Sequence, residues 1–253
     1  MNAEIVYVVT FGCLLAAVLL GIWLRHLLES RLTADTKDAV KLTTGFLATM
    51  AALILGLLTS SAKGSYDAAR DQVIQMAGKV SFLDRVLEVY GPEAADTRAL
   101  FRDTVQGSIQ RMWPEGPNKL ARVAPNSKAG SAVFAAIEGL APHDDLQRTI
   151  KTQAATLAIE LGQVQSLLLA QSTASISKPM LIVLIYWLTI IFLAFSLLAP
   201  NNKTATLALI ISALSVSGAV FLIMELDQPF GGWVRISSEP MRNALSQMAQ
   251  TNP

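Results

Sequence analysis

Three stretches of this 253-residue chain, 5–24, 180–198 and 205–224, contain no Asp, Glu, Lys, Arg or His. Each is about the 20 residues a helix needs to cross a bilayer core. Backbone in lipid must satisfy its own N–H and C=O groups, so runs of this kind fold as helices. A fourth run, 43–61, is less apolar but still long enough. Charged residues make up only 15% of the chain, against about 25% in soluble domains, and the deficit falls in these runs. The sequence therefore predicts an all-α membrane protein with four transmembrane helices, at about 4–24, 43–61, 179–198 and 204–224. Glu4 precedes the first run and Arg25 and His26 follow it. A cleavable signal has positive charge in front and an apolar core of about 7–15 residues. The first run is read as an uncleaved span.

Between the second and third spans the chain turns soluble in character. Val73, Met76, Val80, Leu83, Leu87 and Tyr90 alternate by three and four, a coiled-coil seam. Gly91-Pro92 stops that helix. A second helix, 93–113, carries Leu100, Phe101, Val105, Ile109, Met112 and Trp113 on one side, and the Pro114 to Pro117 stretch ends it. A loop over 118–130 leads to a short helix, 131–140. A long helix, 144–173, then carries Leu146, Ile150, Ala154, Leu157, Leu161, Val164 and Leu168. The two long helices form either an antiparallel stalk with the shorter helices at its tip or a compact helical domain. The domain plan is a first transmembrane hairpin (1–61), an extramembrane helical insert (62–178), a second hairpin (179–224) and a C-terminal loop with a short amphipathic helix (225–253).

Two spans carry small-residue faces. Gly45, Thr49, Ala52, Gly56 and Thr59 recur at helical spacing in the second; Ala205, Ala208, Ser212, Ser215 and Ala219 do so in the fourth. Small faces let membrane helices approach closely. Either the two faces pack together, or one lines an axis in a homo-oligomer. The connector 25–41, an interfacial turn or short helix, holds Arg25, Arg31, Lys37 and Lys41. Lys63, Arg70, Lys178, Arg235 and Arg242 lie near the spans on the opposite side. The positive-inside rule is thus nearly balanced and leaves the side of the insert open.

The stretch 225–245 breaks local rules. Glu225 puts negative charge at a helix C-terminus, where the dipole disfavours it. Asp227 follows, Pro229 pushes Gln228 out of helical geometry, and Gly231-Gly232 permits a sharp turn. Pairing of Asp227 with Arg235 across that turn is the favoured expectation. Glu225 and Asp227 are otherwise solvated surface acids or minor cation candidates, since a hard cation needs about six oxygens. Trp233 suits a membrane interface. Ser238 is a good N-cap, with Glu239 and Pro240 in the first turn of a helix whose apolar side is Met241, Leu245 and Met248. The stretch is read as a structural collar made by Glu225, Asp227, Pro229, Phe230, Gly231, Gly232, Arg235, Ser238 and Pro240.

The sequence Glu225-Leu-Asp-Gln-Pro-Phe-Gly-Gly, followed by Ile236-Ser-Ser-Glu-Pro-Met and Ala244-Leu245, resembles the signature of the bestrophin-like domain family of bacterial membrane proteins. The stretch Ser65-Tyr-Asp-Ala-Ala-Arg70 and the Trp113-Pro114 helix end are similar to that family too. The resemblance covers nearly the whole chain. It implies four spans with a helical insert between the second and third, in a bacterial inner membrane. Kinship with bestrophins implies a pentameric anion channel with cytosolic insert and termini. A bestrophin's calcium clasp uses a dense acidic run after the last span, where only Glu225 and Asp227 stand here. The aromatic-lined bestrophin neck has no counterpart that aligns.

No enzyme motif is present: no HExxH, no GxSxG, no phosphate loop leading to Lys-Ser/Thr, and no Cys/His cluster. Cys13 stands alone in the first span, and a net charge of +1 gives no cause to expect nucleic acid. No cofactor or metal is expected. Ion-coupled transporters keep ionisable groups inside their spans, whereas these spans offer Thr49, Thr59, Ser212, Ser215 and Ser217. A passive pore needs no buried charge. The expected partners are the lipid bilayer, further copies of the chain, and a protein partner for the stalk. The function is an oligomeric ion channel or a non-conducting membrane-anchored assembly or sensing protein.

Overall fold

A computed structural model describes residues 3–28, 33–114, 127–173, 178–200 and 202–250. Its helices are α1 (Ala3–Leu28), α2 (Ala34–Tyr90), α3 (Ala95–Met112), α4 (Ser127–Glu138), α5 (Asp145–Thr173), α6 (Lys178–Leu198), α7 (Lys203–Leu226) and α8 (Glu239–Gln250), with a 3-10 turn at Pro92–Ala94. No strand occurs among the described residues. Four helices, α1, α2, α6 and α7, are long and apolar enough to cross a membrane. The chain divides into two units, Met1–Ser65 with Ser175–Asp227, and Tyr66–Ala174 with Gln228–Pro253.

In the first unit α1 packs along both α6 and α7. Leu14, Val18, Leu184, Ala213 and Val220 are its closed centre. In lipid such a bundle gains little from the hydrophobic effect and depends on close approach. Gly21 supplies that approach. A Cβ there would lie 2.7 Å from the Cβ of Ser196 and 2.8 Å from the carbonyl oxygen of Leu193. The Ser196 hydroxyl donates across the same crossing to the Val18 carbonyl at 2.6 Å. At the end of α1 the Arg25 guanidinium donates to the Ala199 carbonyl at 2.6 Å. That puts a cation at the negative end of α6. Asn202 caps α7 by accepting from the Ala205 N–H at 2.7 Å.

The second unit has one core, shared by α2, α3, α4, α5, α8 and the loop before α8. This is the compact alternative to a stalk with a separate tip. The seam Val73, Met76, Val80, Leu83, Leu87 and Tyr90 is buried throughout. Each full burial of a large aliphatic stabilises by about 1.5–3 kcal/mol. Asp84 lies among these apolar groups, with its side chain 5% exposed, and forms a two-pronged ion pair with Arg98 of α3. The hydrogen bonds that Arg98 donates to Asp84 raise the Arg98 pKa, burial opposes that, and the charges of Asp84 and Glu88 add to it. Lys79 pairs with Glu160 between α2 and α5.

Several sequence expectations shift. The connector 25–41 is mostly helical: α1 runs to Leu28 and α2 begins at Ala34. The second span and the first insert helix are one 57-residue helix. Leu100 and Leu146 are exposed, at 37% and 65%: Leu100 sits one step off the buried line of α3, and Leu146 keeps the seam spacing of α5 but stands in its first turn, before the buried part of the seam begins at Ile150. The expected loop 118–130 lies largely outside the described residues, but its end is already helix. The α4 helix starts at Ser127 and stops at Glu138, not Leu140, since Lys128 and Ala129 are good helix formers and Gly130 costs only about 1 kcal/mol.

The α2 helix ends at Gly91, whose φ of 119° is a backbone state few other residues adopt. Just before it, the Tyr90 side chain is 2% exposed, and its hydroxyl has no hydrogen-bond partner among the described residues. Burial raises the Tyr90 pKa, and the carboxylates of Glu93 and Asp144 push it the same way. A raised pKa means this group's contribution to stability is whole below about pH 10, the ordinary tyrosine value, and is lost as pH climbs through the folded value. Tyr90→Phe removes a stranded polar atom at constant shape. It is expected to gain up to about 1 kcal/mol in denaturant unfolding near neutrality and to abolish that alkaline loss. A destabilised Phe variant would show that the hydroxyl is bonded after all.

Candidate functional site

The signature loop is built by its own backbone and then pinned from two sides. The α7 helix ends with Asp227 as its C-cap, whose N–H still bonds the Ile223 carbonyl at 3.3 Å. Pro229 follows in a tight turn closed by the Gly231 N–H on the Gln228 carbonyl at 3.0 Å. Gly232 takes a positive φ of 68° and reverses the chain. The Ile236 N–H then returns to the Pro229 carbonyl at 2.8 Å, closing the loop. Phe230 and Ile236 point into the core, 6% and 3% exposed.

Two donors from distant parts of the sequence grip successive carbonyls. The Trp113 indole N–H donates to the Ile236 carbonyl at 2.8 Å. The Tyr66 hydroxyl donates to the Arg235 carbonyl at 3.4 Å. The Trp113 ring also meets Phe230 edge to face at 5.8 Å. The three stretches that carry the family resemblance, 65–70, 113–114 and 225–245, thus form one knot. Sequence reading singled out all three but gave no role to Tyr66 or Trp113. The available signal was that both are amphipathic aromatics with one polar donor each.

Arg235 turns back onto its own loop. Its Nε donates to the Gly232 carbonyl at 2.7 Å, so the guanidinium staples its own turn. Glu225 is 3% exposed in the last turn of α7, which rules out the reading of a solvated surface acid for it. Asp227 is half-buried. No group of three His, Cys, Asp or Glu residues gathers for a metal among the described residues. Ser238 holds the N-cap position, its carbonyl accepting from the Arg242 N–H at 2.9 Å. The hydroxyl that accepts from the Glu239 N–H, at 3.1 Å, belongs to Ser237 instead. Pro240 sits in the first turn of α8, which buries Met241, Ala244 and Met248. Arg102 donates to the Met248 carbonyl in the last turn of α8.

The second candidate feature is the small-residue face of α2. Gly45, Thr49, Ala52, Gly56 and Thr59 are all exposed, and a Cβ added at Gly45 or Gly56 would meet nothing within 4 Å. The buried line of that segment is Thr44, Ala51, Leu58 and Ala62. At about 100° per residue the two lines are roughly a third of a turn apart. On α7, Ala208, Ser212 and Ser215 are exposed as well, while Ser217 is buried. The expectation that the two small faces pack together is therefore wrong within one protomer: neither covers the other. Larger apolar side chains, Leu14 and Val18 from α1 among them, fill the bundle instead. The hydroxyls on these faces turn back onto their own helices. Thr49 donates to the Phe46 carbonyl at 2.7 Å, Thr59 to Leu55 at 2.8 Å and Ser215 to Ile211 at 3.0 Å.

Four bilayer-length helices, with an insert whose core closes on a C-terminal loop, define a polytopic helical membrane protein. The family profile of the bestrophin-like domain matches residues 12–241, and the chain belongs to that family. Among solved structures it is similar to a bacterial bestrophin homologue from Klebsiella pneumoniae carrying a point mutation, at 15% identity and a TM-score of 0.71, over 96% of this chain and 99% of that one. It is equally similar to a bacterial bestrophin homologue from Klebsiella pneumoniae solved by Zn-SAD phasing, at 14% identity and a TM-score of 0.72, over 96% and 97%. That likeness is one of fold. No curated protein matches the chain.

Proposed function

We propose that the chain is an oligomeric ion channel of the bacterial inner membrane, in which the small-residue face of α2 lines the path between copies. The observation that carries this reading is the exposure of Gly45, Thr49, Ala52, Gly56 and Thr59 together on one face. Four closely packed helices leave no lumen in one protomer, so a path has to form between protomers. Hydroxyl and apolar surfaces are enough to line and gate such a path. Anion selectivity is what kinship with bestrophins implies. The signature collar of Glu225, Asp227, Pro229, Phe230, Gly231, Gly232, Arg235, Ser238 and Pro240 is proposed as a structural element of the assembly, not a reaction centre.

The test is oligomeric state in detergent followed by ion flux in liposomes. A stable ring with flux is the expected result, and Gly56→Leu and Thr49→Leu should abolish flux while the ring persists. A monomer or dimer, or a ring that passes neither anions nor cations, overturns the channel. A second reading has its own support. Ile74, Phe82 and Val89, on one face of the later half of α2, are 47%, 47% and 62% exposed. That face suits a non-conducting assembly or sensing protein that docks a partner through its insert. Stable rings without flux, disrupted by Phe82→Glu, would favour it.

A further inference from the structure

We propose that the tip of the signature loop is a lipid anchor: Trp233 lies in the headgroup layer and fixes the loop at the membrane surface. Trp233 is 82% exposed, more than any other large apolar side chain described. It is not a dangling residue. Gly232, with its φ of 68°, turns the chain immediately before it. Arg235 ties back to the Gly232 carbonyl, and the Tyr66 and Trp113 donors hold the carbonyls of Arg235 and Ile236. An indole held out on a braced loop keeps a large apolar surface in contact with whatever surrounds it.

The depth of that loop follows from α2 itself. The apolar run of the second span ends at residue 61, and Tyr66 lies five residues further along the same unbroken helix. At about 1.5 Å per residue this is roughly 7.5 Å. The polar layer on each side of the hydrocarbon core is about 5–8 Å thick. The Tyr66 hydroxyl bonds Arg235, two positions from Trp233. The α7 span also ends at Leu226, seven residues before Trp233. Both chain connections keep the tip within reach of the headgroup layer, where tryptophan is enriched because its ring is apolar and its N–H is wet. Exposed Arg235 beside it supplies a cation for lipid phosphate, with its aliphatic stem against the acyl boundary. The inference does not depend on conduction, since an assembly protein would carry the same anchor.

The experiment is fluorescence quenching of the full chain in phosphatidylcholine–phosphatidylglycerol vesicles. Trp233→Phe gives the signal of Trp23, Trp113 and Trp187, and its difference from the natural protein isolates Trp233. The expected result is that lipid brominated just below the headgroup quenches this difference several-fold more than lipid brominated near the chain ends, while aqueous iodide quenches it weakly. Strong iodide quenching with no bromolipid effect overturns the proposal, because the tip would then be in water. Quenching by neither also overturns it, because another protein surface would cover the indole. Should Trp233→Phe fail to fold, Trp233→Cys in a Cys13→Ala background carries a spin label to the same position. Relaxation by oxygen but not by a water-soluble nickel chelate is then expected, and the reverse pattern sinks the idea.

Discussion

Arg98→Met will destabilise the insert by about 3–5 kcal/mol, the cost of leaving a buried charge without its partner. Asp84 is the reason. Its side chain is 5% exposed, and both carboxylate oxygens are used by the Arg98 fork, at 3.1 and 3.0 Å. Removing the guanidinium strands a carboxylate among Leu83, Leu87 and Val80. The reverse change, Asp84→Leu, strands Arg98 at 13% exposure and should cost somewhat less, because a long guanidinium can reach water. The double change Asp84→Leu with Arg98→Met removes both charges together and should recover most of the loss. Chemical denaturation in detergent, followed by circular dichroism, reads all three variants. Single variants losing less than about 1 kcal/mol would mean that the pair behaves as a solvated surface bridge.

The second large effect is expected at the α1–α6 crossing. Gly21→Ala places a Cβ 2.7 Å from the Ser196 Cβ and 2.8 Å from the Leu193 carbonyl oxygen. The two helices have to part, which costs about 1–3 kcal/mol for overpacking. Parting them also stretches the 2.6 Å bond from Ser196 to the Val18 carbonyl. Ser196→Gly removes one clash but not the backbone oxygen, so the double variant should regain only part of the loss. Thermal aggregation in detergent ranks the variants. Complete rescue by Ser196→Gly would place the whole conflict on the serine. By contrast, Gly45→Ala and Gly56→Ala meet open space and should leave protomer stability near its natural level.

Why some of this was readable in sequence and some not comes down to periodicity. An uncharged run of bilayer length can do little but span. The seam from Val73 to Tyr90 alternates so regularly that its burial follows from spacing alone. Spacing reports which residues share a face, not what that face touches. The small faces of the second and fourth spans had the right period, yet larger residues beside them fill the bundle and leave them outward. The same limit explains Leu100, apolar but one step off the buried line, whereas Leu146 keeps the seam's spacing and is exposed because it stands in the first turn of α5. In the signature loop the turn residues Pro229, Gly231 and Gly232 announced themselves. Their braces did not, because Tyr66 and Trp113 lie 169 and 123 positions away from the carbonyls they hold.

The turned-back hydroxyls of α2 have a chemical consequence. A threonine hydroxyl has one proton to give, and Thr49 and Thr59 have given theirs to the carbonyls of Phe46 and Leu55. What those oxygens present outward is lone pairs. A surface that accepts but does not donate solvates a cation more readily than an anion. In the proposed channel, any preference for anions would therefore be set by groups elsewhere along the path, or by these two side chains rotating to free their protons as an ion passes.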